Sequence, residues 1–318
     1  MSKKGKILLA VTGWDPIVWK RELEKCAPDR EVLLEPEGDV DPSIHYAVVW
    51  KQQPSLLSKL PNLKAIFSLG AGVDHIFHDD NLPDVPIGRI VSPDLTMRMS
   101  EYVIWRVLDH HRHGALYRQH QTAHQWNEIE NQPPASKVTV GIMGMGELGR
   151  DAAQKLGLLG FRVTAWSRRP QQVDGVECYH GAGGFDGFLA SANIFVVLLP
   201  LTPETRGILN LRTFGRMTRY DHFGAPVVIN AGRGGLQVES DIIQALDDGV
   251  LSAVSLDVFE HEPLPENSPL WDHPKITITP HAAASSSPSA LVGSIVDEMD
   301  ACDRGEQIAN LVNKSAGY

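Results

Sequence analysis

The sequence predicts an α/β protein with two Rossmann-like domains, each built on a doubly wound parallel sheet. Short apolar runs alternate with polar, helix-permissive segments along the whole chain, and this alternation is typical of βαβ units. A glycine-rich segment at residues 144–149 lies between one such run and a helical pattern. With 318 residues, the chain is long for a single hydrophobic core and suits two domains.

The strands are predicted from short apolar runs that polar or turn-forming residues bound. In the first part they lie at residues 6–11, 46–50, 63–69 and 87–91. One long helix is expected from Ser100 to about residue 125, and the loop at residues 131–136 ends this part. In the second part, strands are expected at residues 138–143, 162–166, 193–199, 226–230, 252–257 and 275–279.

The segment at residues 138–149 has the context that a dinucleotide-binding loop requires. An apolar run enters Gly144-x-Gly146-x-x-Gly149, and a helical pattern follows as far as Gly160. Gly144 suits a tight turn, Gly146 allows the backbone to approach a pyrophosphate, and Gly149 allows helix and strand to pack closely. The anion would then lie at a helix N-terminus. The alternative is a glycine-rich turn without a ligand.

The end of the next predicted strand indicates which dinucleotide binds. An NAD site usually places an acidic residue about 20 residues beyond the glycines, where it binds the ribose 2′-hydroxyl. Here the strand ends in Ser167, Arg168 and Arg169, and the next acidic residue is Asp174. A hydroxyl and two guanidinium groups suit a 2′-phosphate. NADP(H) is therefore the preferred cofactor and NAD(H) a possible one; a solvated basic turn is the alternative.

Composition and charge exclude several classes of function. A net charge of −10 argues against nucleic acid as the main partner. No apolar run has the length of a membrane span, and residues 6–11 resemble a first strand more than a signal peptide. Cys26, Cys178 and Cys302 are widely spaced, without a CxxC pair, so we expect a cytoplasmic protein. No metal is expected, because His120 and His124 lack an HExxH pattern.

Three polar residues follow predicted strands of the second part. Arg233 lies among glycines, Glu262 follows the run at residues 252–257, and His281 follows the run at residues 275–279. Ligands of open α/β sheets bind at the carboxyl ends of strands. A guanidinium fork suits the two oxygens of a 2-oxo acid, and a carboxylate-held imidazole suits proton transfer. Each residue alone has an ordinary structural explanation, but their shared placement favours an active site.

Four motifs together resemble the D-2-hydroxyacid dehydrogenase family over nearly the whole chain. They are the glycine loop, residues 230–234 (Asn-Ala-Gly-Arg-Gly), residues 256–264 (Leu-Asp-Val-Phe-Glu-His-Glu-Pro-Leu) and residues 279–281 (Thr-Pro-His). Residues 69–74, 166–168, 199–205, 268–274 and the ending Gly317-Tyr318 resemble its glyoxylate/hydroxypyruvate reductase A branch. The run at residues 282–288 departs from that branch, which tends to carry bulkier residues and an arginine there, so one pocket wall is expected to be smaller or less basic.

The resemblance implies a domain arrangement. A smaller flavodoxin-like substrate domain, residues 1–99 and 285–318, would contain the inserted NAD(P)-binding Rossmann domain, residues 100–284, with a cleft between them. In that family the helix from Ser100 to about residue 125 forms a dimer contact, which implies a homodimer. From the sequence alone, the aromatic residues of this helix, Tyr102, Trp105 and Tyr117, have core packing as an alternative.

The resemblance also implies roles for individual residues. Arg233 would bind the substrate, His281 would be the acid/base with Glu262 as its partner, and Asp257 would contact the nicotinamide carboxamide. The loop of Gly70, Ala71 and Gly72 would bind the substrate carboxylate, with a plain strand-to-helix turn as the alternative. Trp50 would cover the substrate, although a core tryptophan fits its position equally well. The remaining cofactor contacts would come from Glu147, Leu148, Leu199, Pro200 and Ala231.

The function implied is NADPH-dependent reduction of small 2-oxo acids, glyoxylate and hydroxypyruvate, to 2-hydroxy acids. Hydride would pass to C2 while His281 protonates the oxygen and Arg233 stabilises the developing charge. One alternative is another enzyme of the family, acting on D-lactate, phosphoglycerate or phosphite. A second is a non-catalytic dinucleotide sensor, which would not require Arg233, Glu262 and His281 together.

Overall fold

A computed structural model describes residues 4–35, 41–219 and 224–317 of the chain. Tyr318, part of the resemblance above, lies outside these residues. The described chain divides into two compact units, Met1–Leu95 with Ser286–Tyr318, and Thr96–Ser285. The domain boundaries expected from the sequence were at residues 99/100 and 284/285. Within the described residues, every helix is too short or too polar to cross a membrane.

Secondary structure alternates along the chain. The elements are β1 (Lys6–Val11), α1 (Pro16–Cys26), β2 (Val32–Leu34), β3 (Ile44–Trp50), β4 (Ala65–Ser68), α2 (Asp74–Phe77), β5 (Ile87–Gly88), α3 (Pro93–His111), α4 (Gly114–Thr122), β6 (Thr139–Met143), α5 (Glu147–Leu158), β7 (Arg162–Ser167), β8 (Val176–His180), α6 (Gly181–Leu189), β9 (Ile194–Val197), α7 (Leu211–Phe214), β10 (Val227–Asn230), α8 (Glu239–Asp247), β11 (Ala253–Leu256), β12 (Ile276–Ile278) and α9 (Pro288–Asp303).

The first unit contains a parallel five-stranded sheet in the order β2-β1-β3-β4-β5. The predicted strands of this part are present, whereas β2 was not predicted, because its three residues are too few to show a period. Helix α1 starts where the Asp15 carboxylate accepts a hydrogen bond from the N–H of Ile17, and Pro16 follows this cap. Its Trp19 and Leu23 are buried.

The second unit contains a parallel seven-stranded sheet in the order β12-β11-β10-β9-β6-β7-β8. The chain starts at β6, moves outward through β7 to β8, and then returns to β9 on the other side of β6. The strand order therefore reverses at β6, and open α/β sheets bind ligands at such a switch point. Strands β6, β9 and β10 are buried along their whole length, as expected of strands covered on both faces.

The prediction of one helix from Ser100 to about residue 125 is wrong. The structure has two helices, α3 and α4, and His113 between them takes a left-handed backbone conformation with φ 55°. Gly114 is needed next, because a Cβ there would lie 2.1 Å from an oxygen of Asp109. The Asp109 carboxylate also accepts two hydrogen bonds from Arg118, at 2.9 and 3.0 Å, which fixes the corner between the helices.

The last helix, α9, is tied to the first unit by a buried charge network. The guanidinium of Arg30, fully buried, donates to Asp300 and Asp303 of α9 at 2.7 Å each. The hydroxyl of Tyr46 in β3 donates to Asp303 at 2.7 Å. Burial tends to raise the pKa of Asp303, but hydrogen bonds from Tyr46, Arg30 and Lys64 outweigh it and hold that pKa well below its usual range. The charged form of Asp303 therefore stabilises the fold.

We predict that Asp303→Asn lowers the free energy of unfolding by about 1.5–3 kcal/mol at neutral pH, since charged hydrogen bonds are lost. The folded pKa is depressed, so the stabilisation is fully present above the unfolded value of about 3.9 and is lost as pH falls toward the folded pKa. Urea unfolding of both proteins between neutral and acid pH measures the difference. Glu306→Gln, in an exposed pair with Arg304, is the control; an equal loss in both variants would contradict the network.

Candidate functional site

The first turn after β6 has the backbone that the glycine pattern predicted. Gly144 has φ 108°, and its N–H donates to the carbonyl of Trp166 at 2.9 Å. A Cβ at Gly144 would lie 2.7 Å from the carbonyl oxygen of Leu198, and one at Gly149 would lie 2.0 Å from that of Gly144. Both positions therefore require glycine, the first for the turn and the second for close packing of α5 on β6.

Gly146 differs from Gly144 and Gly149 because the space around its Cα is open. A Cβ there would meet no atom within 4 Å, and Gly146 is the N-cap of α5 without a side-chain cap. The N–H groups of the first turn, which includes Glu147 and Leu148, are thus capped by no side chain. A helix N-terminus with uncapped N–H groups and an open approach fits a pyrophosphate.

The strand-end residues after β7 divide into two kinds. Ser167 is buried, and its hydroxyl donates to the carbonyl of Arg169 at 2.7 Å, so it closes the turn. Arg168 and Arg169 are exposed. Two exposed guanidinium groups follow the strand at this turn, and no carboxylate stands at the strand end. This arrangement fits a 2′-phosphate better than a bare ribose hydroxyl.

The remaining predicted cofactor residues lie at the ends of β9 and β10. Leu199 and Ala231 are buried within the sheet's hydrophobic core. Pro200 is half-buried, and its carbonyl accepts a hydrogen bond from Thr205 at 2.7 Å. Only backbone atoms and small apolar surfaces are therefore available for a ligand at these three positions.

The turn that carries Arg233 is built on a buried asparagine. The side chain of Asn230, at the end of β10, accepts from the N–H of Gly232 at 3.1 Å and donates to the carbonyl of Arg233 at 3.1 Å. It also donates to Gln237 at 2.7 Å, and Gln237 donates to the carbonyl of Val258 at 3.0 Å. The Arg233 turn is thereby fixed to the loop that follows β11.

This contact with the β11 loop brings Arg233 near the segment of Glu262. A Cβ at Gly234 would lie 1.9 Å from the carbonyl oxygen of Phe259, so the glycine permits the close approach. Glu262 in turn accepts a hydrogen bond from the N–H of Phe259 at 3.2 Å. Asn230, Gly232 and Gly234 therefore shape the backbone on either side of Arg233. The guanidinium of Arg233 donates to the carbonyl of Gly232 at 2.8 Å.

Glu262 and His281 form a hydrogen-bonded pair. The Nδ1 atom of His281 lies 2.8 and 3.0 Å from the two carboxylate oxygens of Glu262. A carboxylate only accepts hydrogen bonds, so Nδ1 carries a proton and donates. The other ring nitrogen, Nε2, points to the opposite side of the ring and remains the atom that can exchange a proton with a ligand.

The backbone of His281 is held by Asp257, the residue that follows β11. The N–H of His281 donates to the carbonyl of Asp257 at 2.8 Å. The carboxylate accepts from the hydroxyl of Thr279 at 2.6 Å and from the N–H groups of Ala282 and Ala283 at 2.9 and 3.0 Å. Burial raises the pKa of Asp257 although these hydrogen bonds favour its charged form. Asp257 therefore anchors the turn in which His281 has φ 51°.

Tyr102 of α3 completes this anchor. Its hydroxyl lies 2.8 Å from that of Thr279. Since the Thr279 proton is given to Asp257, Tyr102 is the donor. Burial raises the pKa of Tyr102 to about 12, so the hydroxyl keeps its proton. The sequence offered only one weak signal for this link, namely that Thr279 stands two residues before His281.

In the first unit, the loop after β4 contains Gly70, Ala71 and Gly72. The N–H of Gly70 donates to the hydroxyl of Ser68 at 3.1 Å, and that hydroxyl donates to the carbonyl of Gly72 at 3.1 Å. Among the described residues, the N–H groups of Ala71 and Gly72 have no protein acceptor. Two backbone donors of this loop can therefore receive an anion.

Trp50, at the end of β3, is buried rather than exposed. It is 8% exposed, stacks on Trp14 with ring centroids 4.7 Å apart, and packs on Gly70, where a Cβ would lie 2.3 Å from its ring. Trp14 is 41% exposed and forms the outer layer of this stack. The ring of Trp50 thus packs against the loop from Gly70 to Gly72 and supports it.

The chain resembles known proteins over its whole length. Residues 104–283 match the family model of the D-isomer specific 2-hydroxyacid dehydrogenase NAD binding domain. Glyoxylate/hydroxypyruvate reductase A of Serratia proteamaculans is 38% identical over 306 residues, which cover 94% of this chain and 96% of that protein.

Two crystal structures are similar to this one. One is an NADPH-dependent glyoxylate/hydroxypyruvate reductase from Sinorhizobium meliloti in complex with NADP and sulfate, with TM-score 0.94, 46% identity and coverage of 99% of this chain and 100% of that one. The other is a probable 2-hydroxyacid dehydrogenase from Rhizobium etli in complex with NADP, HEPES and L(+)-tartaric acid, with TM-score 0.92, 42% identity and the same coverage.

We predict that Thr279→Val lowers the free energy of unfolding by about 1–3 kcal/mol, because it leaves the buried Tyr102 hydroxyl and an Asp257 oxygen without their shared partner. Tyr102→Phe should then cost about 0.5–3 kcal/mol less in the Thr279→Val background than in the wild type, because the bond it removes is already lost. Urea unfolding of the four proteins measures this coupling. Thr277→Val, in strand β12, is the matched control. Additive effects of the two changes would show that the hydroxyls do not act as one unit.

Proposed function

Because this chain belongs to the D-isomer specific 2-hydroxyacid dehydrogenase family, we propose that it reduces small 2-oxo acids, glyoxylate and hydroxypyruvate, with NADPH. The observation that carries the proposal is the His281–Glu262 pair, 2.8 Å apart, in a sheet that also bears a dinucleotide loop. A sensor that only bound a dinucleotide would need neither this proton-transfer pair nor the presented side chain of Arg233.

Three side chains carry the chemistry of this proposal. When bound, the reduced nicotinamide supplies the hydride that C2 of the 2-oxo acid accepts. His281 donates the Nε2 proton to the carbonyl oxygen, and Glu262 stabilises the charge on the imidazole and fixes its orientation. Arg233 binds the substrate through its planar fork and stabilises the developing negative charge on that oxygen. His281 then regains a proton from solvent.

Asp257 is proposed to have a second role in this mechanism, besides the nicotinamide contact that the resemblance implied. Its carboxylate accepts hydrogen bonds from Thr279, Ala282 and Ala283, and the residue is 1% exposed. We infer that it acts on the reaction by holding the turn of His281. Contact with the nicotinamide carboxamide remains part of the proposal and would require one oxygen to accept a further donor.

The cofactor preference follows from charge. Arg168 and Arg169 lie exposed at the end of β7, and each guanidinium can donate two hydrogen bonds to a 2′-phosphate. The uncapped N-terminus of α5 suits the pyrophosphate. We therefore propose NADP(H) as the preferred cofactor and NAD(H) as a weaker one.

The small substrate is proposed to be bound by its carboxylate. Within the first unit, the N–H groups of Ala71 and Gly72 can supply backbone donors to it. Small side chains at Ala282 and Ala283, whose backbone is held by Asp257, are compatible with hydroxypyruvate as well as glyoxylate. D-lactate-type and phosphoglycerate-type substrates are the alternatives within the family.

We propose a homodimer because one arm of the chain leaves most of its surface exposed within the described residues. The arm, residues 114–134, begins with α4, which has no buried residue. Trp126 in it is 101% exposed, and Trp105 on α3 is 52% exposed. A groove of about 630 Å³ between α4 and β12 adds further open surface. A second copy of the chain would cover this surface, and sedimentation of Trp126→Ser is the direct measurement.

A reducing compartment, the cytoplasm, is proposed from the cysteines. Cys26, Cys178 and Cys302 are all free thiols in the structure, and proteins of oxidising compartments more often pair theirs. The location of the tagged protein in fractionated cells tests this.

The Arg168→Ala/Arg169→Ala variant should raise the KM for NADPH at least tenfold and leave the KM for NADH nearly unchanged. Each charge-assisted bond to phosphate is worth about 1.5–3 kcal/mol, and about 1.4 kcal/mol is a factor of ten. Steady-state rates with glyoxylate and either cofactor measure the effect. Arg162→Ala, at the exposed start of the same strand, is the control. A wild type that prefers NADH at equal concentration would overturn the cofactor proposal.

Arg233→Lys should lower kcat/KM for glyoxylate tenfold or more, because the charge remains but the two-oxygen fork is lost, at about 1.5–3 kcal/mol. His281→Ala should lower kcat by roughly 10²–10⁴. NADPH affinity, followed by fluorescence, should be unchanged in both. His261→Ala, exposed beside Glu262, serves as the control. No turnover of any 2-oxo acid by the wild type would refute the enzyme proposal, and unchanged kcat/KM in Arg233→Lys would remove its role.

A further inference from the structure

The hydroxyl of Ser68, at the end of β4, uses its whole hydrogen-bonding capacity on the loop that follows. It donates to the carbonyl of Gly72 at 3.1 Å and accepts from the N–H of Gly70 at 3.1 Å. Its second acceptor site faces Nε2 of His75 at 3.0 Å. Ser68 is 1% exposed, so water cannot replace these partners. The loop from Gly70 to Gly72 is closed around one buried oxygen.

His75 is held in the tautomer that this arrangement needs. The N–H of Lys51 donates to Nδ1 of His75 at 3.3 Å, so Nδ1 is the unprotonated nitrogen. The proton then lies on Nε2, which donates to Ser68. The Oε1 atom of Gln52 lies 3.2 Å from the same nitrogen; a half-turn of this amide would place its NH₂ group there as a second donor. The ring also packs edge-on against Trp50 with centroids 4.8 Å apart.

The three N–H groups of the loop therefore have different hydrogen-bonding roles. The N–H of Gly70 is committed to Ser68. Among the described residues, those of Ala71 and Gly72 have no protein acceptor. Backbone donors bind a carboxylate well only when their directions are fixed beforehand, because ordering a flexible loop opposes binding.

We propose that Ser68 and His75 are positioning residues that hold the loop so that two N–H groups, those of Ala71 and Gly72, bind the substrate carboxylate. This inference rests on the proposed function. Neither residue touches the substrate or takes part in proton transfer. Their loss should weaken substrate binding in the ground state and the transition state equally, which raises KM and leaves kcat unchanged.

The test compares Ser68→Ala and His75→Phe with the wild type. His75→Phe keeps an aromatic ring against Trp50 but removes both nitrogens. Both variants should raise the KM for glyoxylate about tenfold, the equivalent of about one lost hydrogen bond, with kcat within about twofold of the wild type. The KM for NADPH should not change. Ser68→Thr, which keeps a hydroxyl, should have a KM for glyoxylate close to that of the wild type.

Ser58→Ala is the matched control. Its hydroxyl also bonds a backbone carbonyl of the first unit, that of Ser55 at 3.0 Å, but outside the loop. Calorimetric titration of the NADP-loaded proteins with oxamate gives a readout without turnover. Its dissociation constant should rise about tenfold in Ser68→Ala and stay constant in Ser58→Ala, as for a single hydrogen bond.

The outcomes separate this inference from the proposed function. If the wild type reduces glyoxylate but Ser68→Ala and His75→Phe keep its KM and oxamate affinity, the positioning role is wrong and the function stands. If kcat and NADPH affinity fall by the same factor by which KM rises, the two residues have a general structural role, which also overturns the inference. If the wild type reduces no 2-oxo acid and binds no oxamate, the proposed function itself fails.

Discussion

The carboxylate of Asp257 has almost no contact with water, and donors from a single turn take the place of that water. Burial without these donors would cost several kcal/mol, so the turn at residues 279–283 must close around Asp257 whenever the sheet is folded. The closed turn gives His281 its left-handed backbone and directs its ring toward Glu262. The same cluster reaches α3 through Tyr102. Helix α3 contains one of the two chain crossings between the units, and Ala283 lies two residues before the other. The hydrogen bonds around Asp257 therefore involve the chain next to both crossings.

The other site residues rely on similar internal bonds, each made by a buried polar side chain at a strand end. Asn230 shapes the Arg233 turn, and Ser68 shapes the loop from Gly70 to Gly72. In both cases the buried side chain takes no part in the proposed reaction. It fixes the backbone of residues two to four positions later, which are the ones proposed to bind the substrate. This division explains why the motifs contain more residues than the reaction uses.

How much the sequence could predict depended on whether a signal was local. The glycine loop was predictable, since Gly144 and Gly149 meet backbone atoms only a few residues away or in the adjacent strand. The pairing of His281 with Glu262 was implied by the resemblance of the motifs around them, and the two side chains lie 2.8 Å apart in the structure. The break at His113 was not predicted, because it depends on the Asp109–Arg118 bridge across the corner. The link from Tyr102 to Thr279 joins residues 177 positions apart, and no periodicity reports such a contact.

The position of His281 after an edge strand has a consequence for solubility. Strand β12 forms the edge of the larger sheet and has only three residues. Pro280 follows with no N–H to offer, and the positive φ of His281 turns the backbone out of the strand direction. A foreign strand seeking an open edge would find a very short template there. The backbone that aims the imidazole thus also protects the folded protein from edge-to-edge aggregation.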